Sequence, residues 1–337
     1  MRLAVYTDHP YRRGPAGLEA HEAFSLFVAS LADYVDELTM VGRLDPDPGW
    51  EGYEIGAAVR FEELPFYPDL ARAGDAGRSF GESCRRFWRL LGRVDGVWLM
   101  GPHPMSIAFA LLALVRGKRV TLGVRQDLPS YVAGRHPGRR AVLGAAWALE
   151  LTFRGLALLF PTVVVGPALA RKYRHARRLL EIAVSLIADE DIVSLEEAVA
   201  RSYEGELVAI SVGRLDPEKN PLLLAEILVQ LRATGRPWRL LVCGDGRLRE
   251  DLAHHLAELG VAEHAELRGY VPYGPALSTA YRESHALLHV SWTEGFPQVI
   301  LEGFAAGLPV VATDVGGVRA AADGAARLVE PGNAGAS

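Results

Sequence analysis

The sequence predicts an α/β protein built from two Rossmann-like, doubly wound domains, each a parallel sheet with helices on both faces. Three observations predict it. Short β-branched runs alternate with longer segments of helical periodicity. The alternation occurs twice, once in each half of the chain. Between the two stretches, around residues 176–205, the text changes from basic (RKYRHARR) to acidic and polar (ADEDIVSLEEA). The expected boundaries are a front domain over 1–178, a linker over 179–205 and a back domain over 206–337.

The elements follow in order. RLAVYT (2–7) opens the front domain as a strand, and the apolar periodicity of Gly17–Ala32 predicts a helix after it. GVWLM (96–100), RVTLGV (119–124) and TVVVG (162–166) are further strands, with a helix over Met105–Val115. The back half repeats the theme with LVAISVG (207–213), RLLVCG (239–244), AELRG (265–269), HALLHV (285–290) and PVVAT (309–313). Helices fit Pro221–Ala233 and Arg247–Leu259, and a third runs from Pro297 to about Ala306. In sheets of this kind ligands bind beyond the carboxyl ends of the strands. Two such domains facing each other would make a cleft.

Composition narrows the classes. With 337 residues, 50% hydrophobic and 23% charged, the chain is ordinary globular protein of two-domain length. A net charge of -5 gives no footprint for nucleic acid. The charge is uneven: residues 1–180 hold 24 Lys and Arg against 18 Asp and Glu, and residues 181–337 hold 12 against 23. Cys84 and Cys243 are too far apart for a metal or disulfide motif, which fits a reducing compartment. The N-terminal apolar run is too short for a signal-peptide core. The most hydrophobic region, Leu143–Gly166, is broken by Glu150, Arg154 and Pro161, against a spanning helix. The expectation is a cytoplasmic protein.

Three constellations follow strands. In VGRLDPEKNP (212–221), Gly213 permits a tight turn, and Arg214 and Lys219 flank it. A guanidinium and an ammonium near a helix start suit a diphosphate. The plain alternative is a solvated loop in which Arg214 pairs with Asp216 or Glu218. In CGDGRLRED (243–251), Gly244 and Gly246 allow backbone amides to approach a ligand, or make only a strand-to-helix turn. The third glycine of the dinucleotide fingerprint is absent. In TEGFPQVILEGFAAG (293–307), Glu294 stands just past a strand, and Gln298 and Glu302 share a helix face that reaches back toward it. Carboxylates in so apolar a setting need hydrogen-bond donors. Gly316 and Gly317 of TDVGGV offer amides or a turn.

Taken together, SVGRLDPEKN, LLVCGDGRLRED and TEGFPQVILEGFAAGLPVVATDVGG resemble the GT4-type retaining glycosyltransferases with the GT-B fold, also described as glycosyl transferases group 1. The last segment carries that family's Glu-x7-Glu motif at Glu294 and Glu302. The resemblance implies transfer of a sugar from a nucleoside diphosphate sugar to a glycan, lipid or small-molecule acceptor, with retention at the anomeric carbon. It implies that Glu294, aided by backbone amides at Gly295 and Phe296, contacts the donor sugar. It implies that Glu302 holds the ribose, and that Arg214 and Lys219 bind the diphosphate. It implies no metal, and no Asp-x-Asp follows a strand; Asp45–Asp47 lies in a Pro-rich loop. AGLEAH (16–21) looks like the family's glycine loop, with Gly17 near the phosphates and Ala16 in place of the first glycine. Arg125 stands near the place where many relatives have histidine. Arg125 and Asp127 are candidates for the acceptor side, whereas His103 in GPHP occupies a different position and is more often structural. The family continues past a segment like LVEPGN with further helices, so the sequence to Ser337 reads as truncated or shortened. The basic segments RGKR (116–119), RHPGRR (135–140) and RKYRHARR (171–178) are candidates for peripheral contact with anionic lipid or acceptor phosphate at the inner membrane face. The rival readings are a nucleotide-sugar epimerase of the same architecture and a non-catalytic binding relative.

Overall fold

The computed structural model describes residues 1–14, 17–20, 22–46, 52–67, 73–135 and 138–336. Ala16, His21, Asp47, His136, Pro137 and Ser337 lie outside them. The chain forms two compact units. One comprises 1–128, 144–165 and 169–186; the other comprises 129–143, 166–168 and 187–337.

The first unit holds strands β1 (Arg2–Gly14), β2 (Gly17–Ala20), β3 (Glu37–Leu44), β4 (Tyr53–Ile55), β5 (Arg60–Leu64), β6 (Gly96–Gly101), β7 (Arg119–Val124), β8 (Pro161–Val165) and β9 (Arg178–Ile182). The parallel order is β5-β3-β1-β6-β7-β8-β9. Growth therefore runs outward both ways from β1 and β6, the doubly wound arrangement. Helices α1 (Phe24–Ala29), α2 (Ala73–Leu90) and α3 (Pro104–Val115) lie in this unit. Helix α4 (Leu128–Arg135) falls almost entirely in the second unit, and α5 (Arg140–Ala157) and α6 (Pro167–Lys172) each contribute to both. One core joins α2, α3 and α5 to the sheet, with Phe87 stacked on Phe109 at 3.9 Å and Phe153, Leu99 and Leu122 fully buried.

The second unit is an all-parallel sheet in the order β12-β11-β10-β13-β14-β15. Its strands are β10 (Leu207–Val212), β11 (Trp238–Cys243), β12 (Ala265–Gly269), β13 (Ala286–His289), β14 (Val310–Thr313) and β15 (Arg327–Val329). Alternate residues feed opposite faces, as strand geometry requires. Ala209, Leu240 and Val242 pack under α8 (Leu223–Ala233) and α9 (Arg249–Glu258), whereas Ile210, Leu241 and Cys243 pack under α10 (Pro275–Arg282) and α11 (Gln298–Ala305). A short α7 (Leu195–Val199) precedes the sheet, and α12 (Val318–Ala322) follows β14.

Three expectations need correction. Gly17–Ala32 is not one helix. β1 runs on to Gly14 and turns back, so Gly17–Ala20 pairs with it antiparallel, and only Phe24–Ala29 is α-helical. The Arg12–Glu19 ion pair, with Nε 2.6 Å from Oε2, holds that hairpin, so cross-strand pairing overrides helical periodicity. The segment 179–205 is not a free linker. β9 pairs with β8, and Val193 N donates to Ala305 O at 2.8 Å while Arg201 binds the Ala306 carbonyl at 2.6 Å. Finally, 129–143 does not group with the front domain, for reasons that lie in the candidate site.

Candidate functional site

β10 and β13 are neighbours in the second sheet, but the chain leaves them in opposite directions, to β11 and to β14. The loops after them diverge and leave a crevice at the switch point. A cavity of about 290 Å³ lies there, lined by Gly213, Arg214, Lys219, Glu294, Phe296 and Gln298 among others. The two loops are tied together by Trp292 N donating to Glu218 O at 2.9 Å. Each is also braced by a close backbone approach. A Cβ on Gly244 would lie 1.8 Å from Gly213 O, and one on Gly316 would lie 1.9 Å from Glu294 O. Loop packing therefore accounts for Gly244 and Gly316 without a ligand.

Glu294 is buried, and its oxygens are unequal. Oε1 accepts from Lys219 Nζ at 2.6 Å and from Ser291 Oγ at 2.6 Å, with His289 Nε2 at 3.0 Å. Oε2 has no partner among the described residues. Burial works to raise the pKa of this carboxyl, but Lys219 and His289 outweigh it and hold it well below the usual carboxylate range. Glu294 is thus a fixed anion with one free acceptor. Neither His289 nor Ser291 is singled out by the sequence. Their signal is position, since both fall at or just after the end of β13.

Arg214 lines the cavity but is already engaged. Its Nη1 reaches Asp216 Oδ2 at 3.1 Å and its Nη2 reaches Glu218 Oε1 at 3.1 Å, the plain alternative drawn from the sequence. Both carboxylates are buried. They also hold Arg135, whose Nη1 lies 3.2 Å from Asp216 and 3.5 Å from Glu218, and Arg247 Nε lies 3.4 Å from Asp216. Arg135 therefore ends α4 in this cluster rather than in a free basic patch. Gly134 lets the helix come close: a Cβ there would lie 3.2 Å from Glu218 Cβ. Four cations, Arg135, Arg214, Lys219 and Arg247, stand against three carboxylates, Asp216, Glu218 and Glu294. One positive charge is left over. The N-terminus of α11 adds to it: Pro297 precedes its first turn with no side-chain cap, and Pro297 and Gln298 line the cavity.

Residues 194–337 match the family model described as Glycosyl transferases group 1. That segment resembles the group 1 glycosyl transferases.

Curated relatives agree. The chain is 39% identical over 122 residues to D-inositol 3-phosphate glycosyltransferase of Rhodococcus erythropolis, a match covering 34% of this chain and 27% of the relative. It is 28% identical over 243 residues to 2-deoxystreptamine glucosyltransferase of Streptomyces kanamyceticus, covering 69% and 58%. The chain thus spans between about a quarter and three fifths of these relatives. Among solved structures, Anabaena HepE in complex with UDP aligns with a TM-score of 0.68 at 15% identity, covering 99% of this chain and 87% of that one. The likeness shows the GT-B fold.

The remaining predicted residues are placed less simply. Gly246 packs against the Leu215 backbone, 2.7 Å from an added Cβ. Glu302 does not share the Glu294 cavity. It lines a smaller one with Tyr273, Leu277, Tyr281 and Asp191. Its Oε2 accepts from Tyr281 at 2.7 Å, and burial, only partly offset by that bond, raises its pKa. The stripe expected to join the two glutamates fails because Glu294 lies in the loop before α11, off the helix. Gly17 belongs to the first unit and opens β2. In that unit His103 caps α3 by accepting from Met105 N at 3.2 Å, and its Nε2 faces Asp8 at 3.2 Å. Nδ1 is taken up by the cap, a structural role, while Nε2 is buried beside Asp8 without a hydrogen bond among the described residues. Arg125 contacts His9 at 2.7 Å and stacks on Phe24, and Asp127 pairs with Lys172 at 3.0 Å. Among the described residues no helix is long and apolar enough to cross a membrane.

Proposed function

We propose that the chain is a retaining glycosyltransferase that moves a sugar from a nucleoside diphosphate donor to a glycan, lipid or small-molecule acceptor. The observation that carries this reading is the Glu294–Lys219 pair at 2.6 Å beside the open N-terminus of α11. It supplies what the reaction needs. As the bond between the anomeric carbon and the diphosphate oxygen breaks, negative charge grows on the departing diphosphate. Lys219, Arg214 and the α11 amides neutralise it in place. Glu294 Oε2 accepts from a donor-sugar hydroxyl, with the Gly295 and Phe296 amides beside it, and Lys219 and His289 keep that carboxylate ionised. Glu302 takes the ribose. The diphosphate is held by these cations without a metal. The acceptor oxygen then bonds to the anomeric carbon on the face the diphosphate left, and its proton passes to the departing diphosphate oxygen.

The protein is read as cytoplasmic, with its basic front half in peripheral contact with the inner membrane face. The UDP bound by HepE makes uridine diphosphate sugars the first donors to try. The test is a thermal-stabilisation screen of nucleotide sugars followed by release of nucleoside diphosphate with candidate acceptors. Glu294→Ala and Lys219→Ala are expected to abolish most transfer. Near-normal rates in both would overturn the site assignment. A changed sugar still attached to its diphosphate, with donor alone, would make the protein an epimerase. Nucleotide binding without transfer to any acceptor would make it a binding protein.

A further inference from the structure

The first unit carries an apolar stripe where a helix normally turns polar residues to water. Helix α5 buries Ala146, Phe153 and Ala157 against the sheet. Its other side exposes Trp147 at 45% and Leu151 at 58%. Leu158 and Leu159, in the turn that follows, are exposed at 57% and 54%. Steps of four and seven residues put Trp147, Leu151 and Leu158 on one line along the surface. No element of the described residues covers them.

A basic segment runs beside this line. Arg177 N donates to Ala157 O at 2.8 Å and its guanidinium to Leu159 O at 3.3 Å. His175 Nε2 lies 3.1 Å from Arg154 O, and Lys172 Nζ sits 5.5 Å from the Trp147 ring. Arg171, Arg174, Arg177 and Arg178 are exposed, and none has a carboxylate partner among the described residues. From residue 128 to residue 180 the sequence holds nine Lys and Arg and a single acid, Glu150. Glu150 is fully buried and paired with Lys172 at 2.9 Å.

We propose that the exposed stripe of α5 and the arginines of 171–178 form a docking surface for an anionic lipid bilayer. It rests on the peripheral-membrane part of the functional reading and assigns that contact to particular side chains. Trp147 and the leucines enter the interface between headgroups and acyl chains, and the arginines meet the lipid phosphates. A second copy of the same face is disfavoured, because it would bring two clusters of unpaired arginines together. A bilayer with negative headgroups meets both the apolar and the charged demand at once.

The experiment is co-sedimentation of the 337-residue chain with phosphatidylcholine vesicles, with and without phosphatidylglycerol, at low and high salt. The protein is expected to pellet with the anionic vesicles only, and less so at high salt. Changing all four arginines to glutamine should weaken binding ~100-fold or more, taking each as worth roughly fivefold at the surface. Trp147→Ser with Leu151→Ser should weaken it with only a small fall in the thermal midpoint, since both side chains are about half exposed. Failure of the parent chain to pellet with any vesicle would overturn the membrane reading itself. Pelleting that both variants retain would keep that reading and overturn this surface. A dimer in light scattering that Trp147→Ser abolishes, without vesicle binding, would make the face a self-association surface and overturn the proposal.

Discussion

Lys219 Nζ lies 2.6 Å from Glu294 Oε1, and the lysine keeps 24% of its side chain exposed while the glutamate keeps 8%. The pair is therefore lopsided. The anion is locked in, and the cation stands at the cavity wall. Lys219→Ala should leave the buried carboxylate with Ser291 and His289 alone. The expected cost is about 2–3 kcal/mol, below the range for fully buried pairs because the lysine is partly solvated. Glu294→Gln in the Lys219→Ala background should recover much of it. Urea melts of the single and double variants check this.

The same pair predicts an acid response. Glu294 is held below its unfolded pKa of ~4.3, so its contribution is fully present above that pH and drains away as pH falls through and below it. The stability gap between the parent and Glu294→Gln should be constant from neutral pH to about pH 5. It should narrow steadily on further acidification. A gap independent of pH down to acid unfolding would contradict the assigned shift.

Glu302 predicts the opposite slope. Its folded pKa is raised, so the protonated form is favoured in the fold, and the carboxylate costs stability as pH rises through the unfolded value toward the folded one. Glu302→Gln should therefore be more stable than the parent at neutral pH and about equal to it in acid. If the residue holds a ribose, the same variant binds UDP more weakly despite melting later. Paired thermal melts and calorimetry separate the two effects.

Glu150 has no exposed side chain and depends on Lys172, which also serves Asp127. Lys172→Met strands a buried charge and should cost about 3–5 kcal/mol. Lys172→Met with Glu150→Leu should cost far less, because both charges leave together. Chemical denaturation at neutral pH decides it.

Gly316 tests the bracing of the loop that carries Glu294. Its φ of 52° and the 1.9 Å separation of an added Cβ from Glu294 O mean that Gly316→Ala must move that loop. Nucleotide-sugar binding should fall without any change to a residue lining the main cavity. An unchanged affinity would show that the loop adapts.

Much of the second sheet was legible because β-branched runs and helical runs alternate there with short connections. The places of Lys219 and Glu294 were legible too, since both follow strands that come to lie side by side. What escaped was whatever depends on pairing across the chain. β2 reads as helical until Glu19 finds Arg12. Arg135 reads as a surface charge until Asp216 and Glu218 claim it from 81 and 83 residues away in sequence. Glu302 reads as a companion of Glu294 until the loop before α11 turns them into separate cavities.

The Arg135 contact has a practical consequence for dissecting the protein. A fragment cut at the apparent seam, beginning near residue 187, would contain every strand of the second sheet and still be missing a piece of it. Asp216 and Glu218 would lose one of the guanidiniums that neutralise them, and Arg214 and Arg247 would have to answer for both. Such a half-protein would report a weaker, more tightly self-occupied Lys219–Glu294 cavity than the intact chain. Supplying the stretch 129–143 in trans, or grafting it back, would be the way to read the pocket's true affinity.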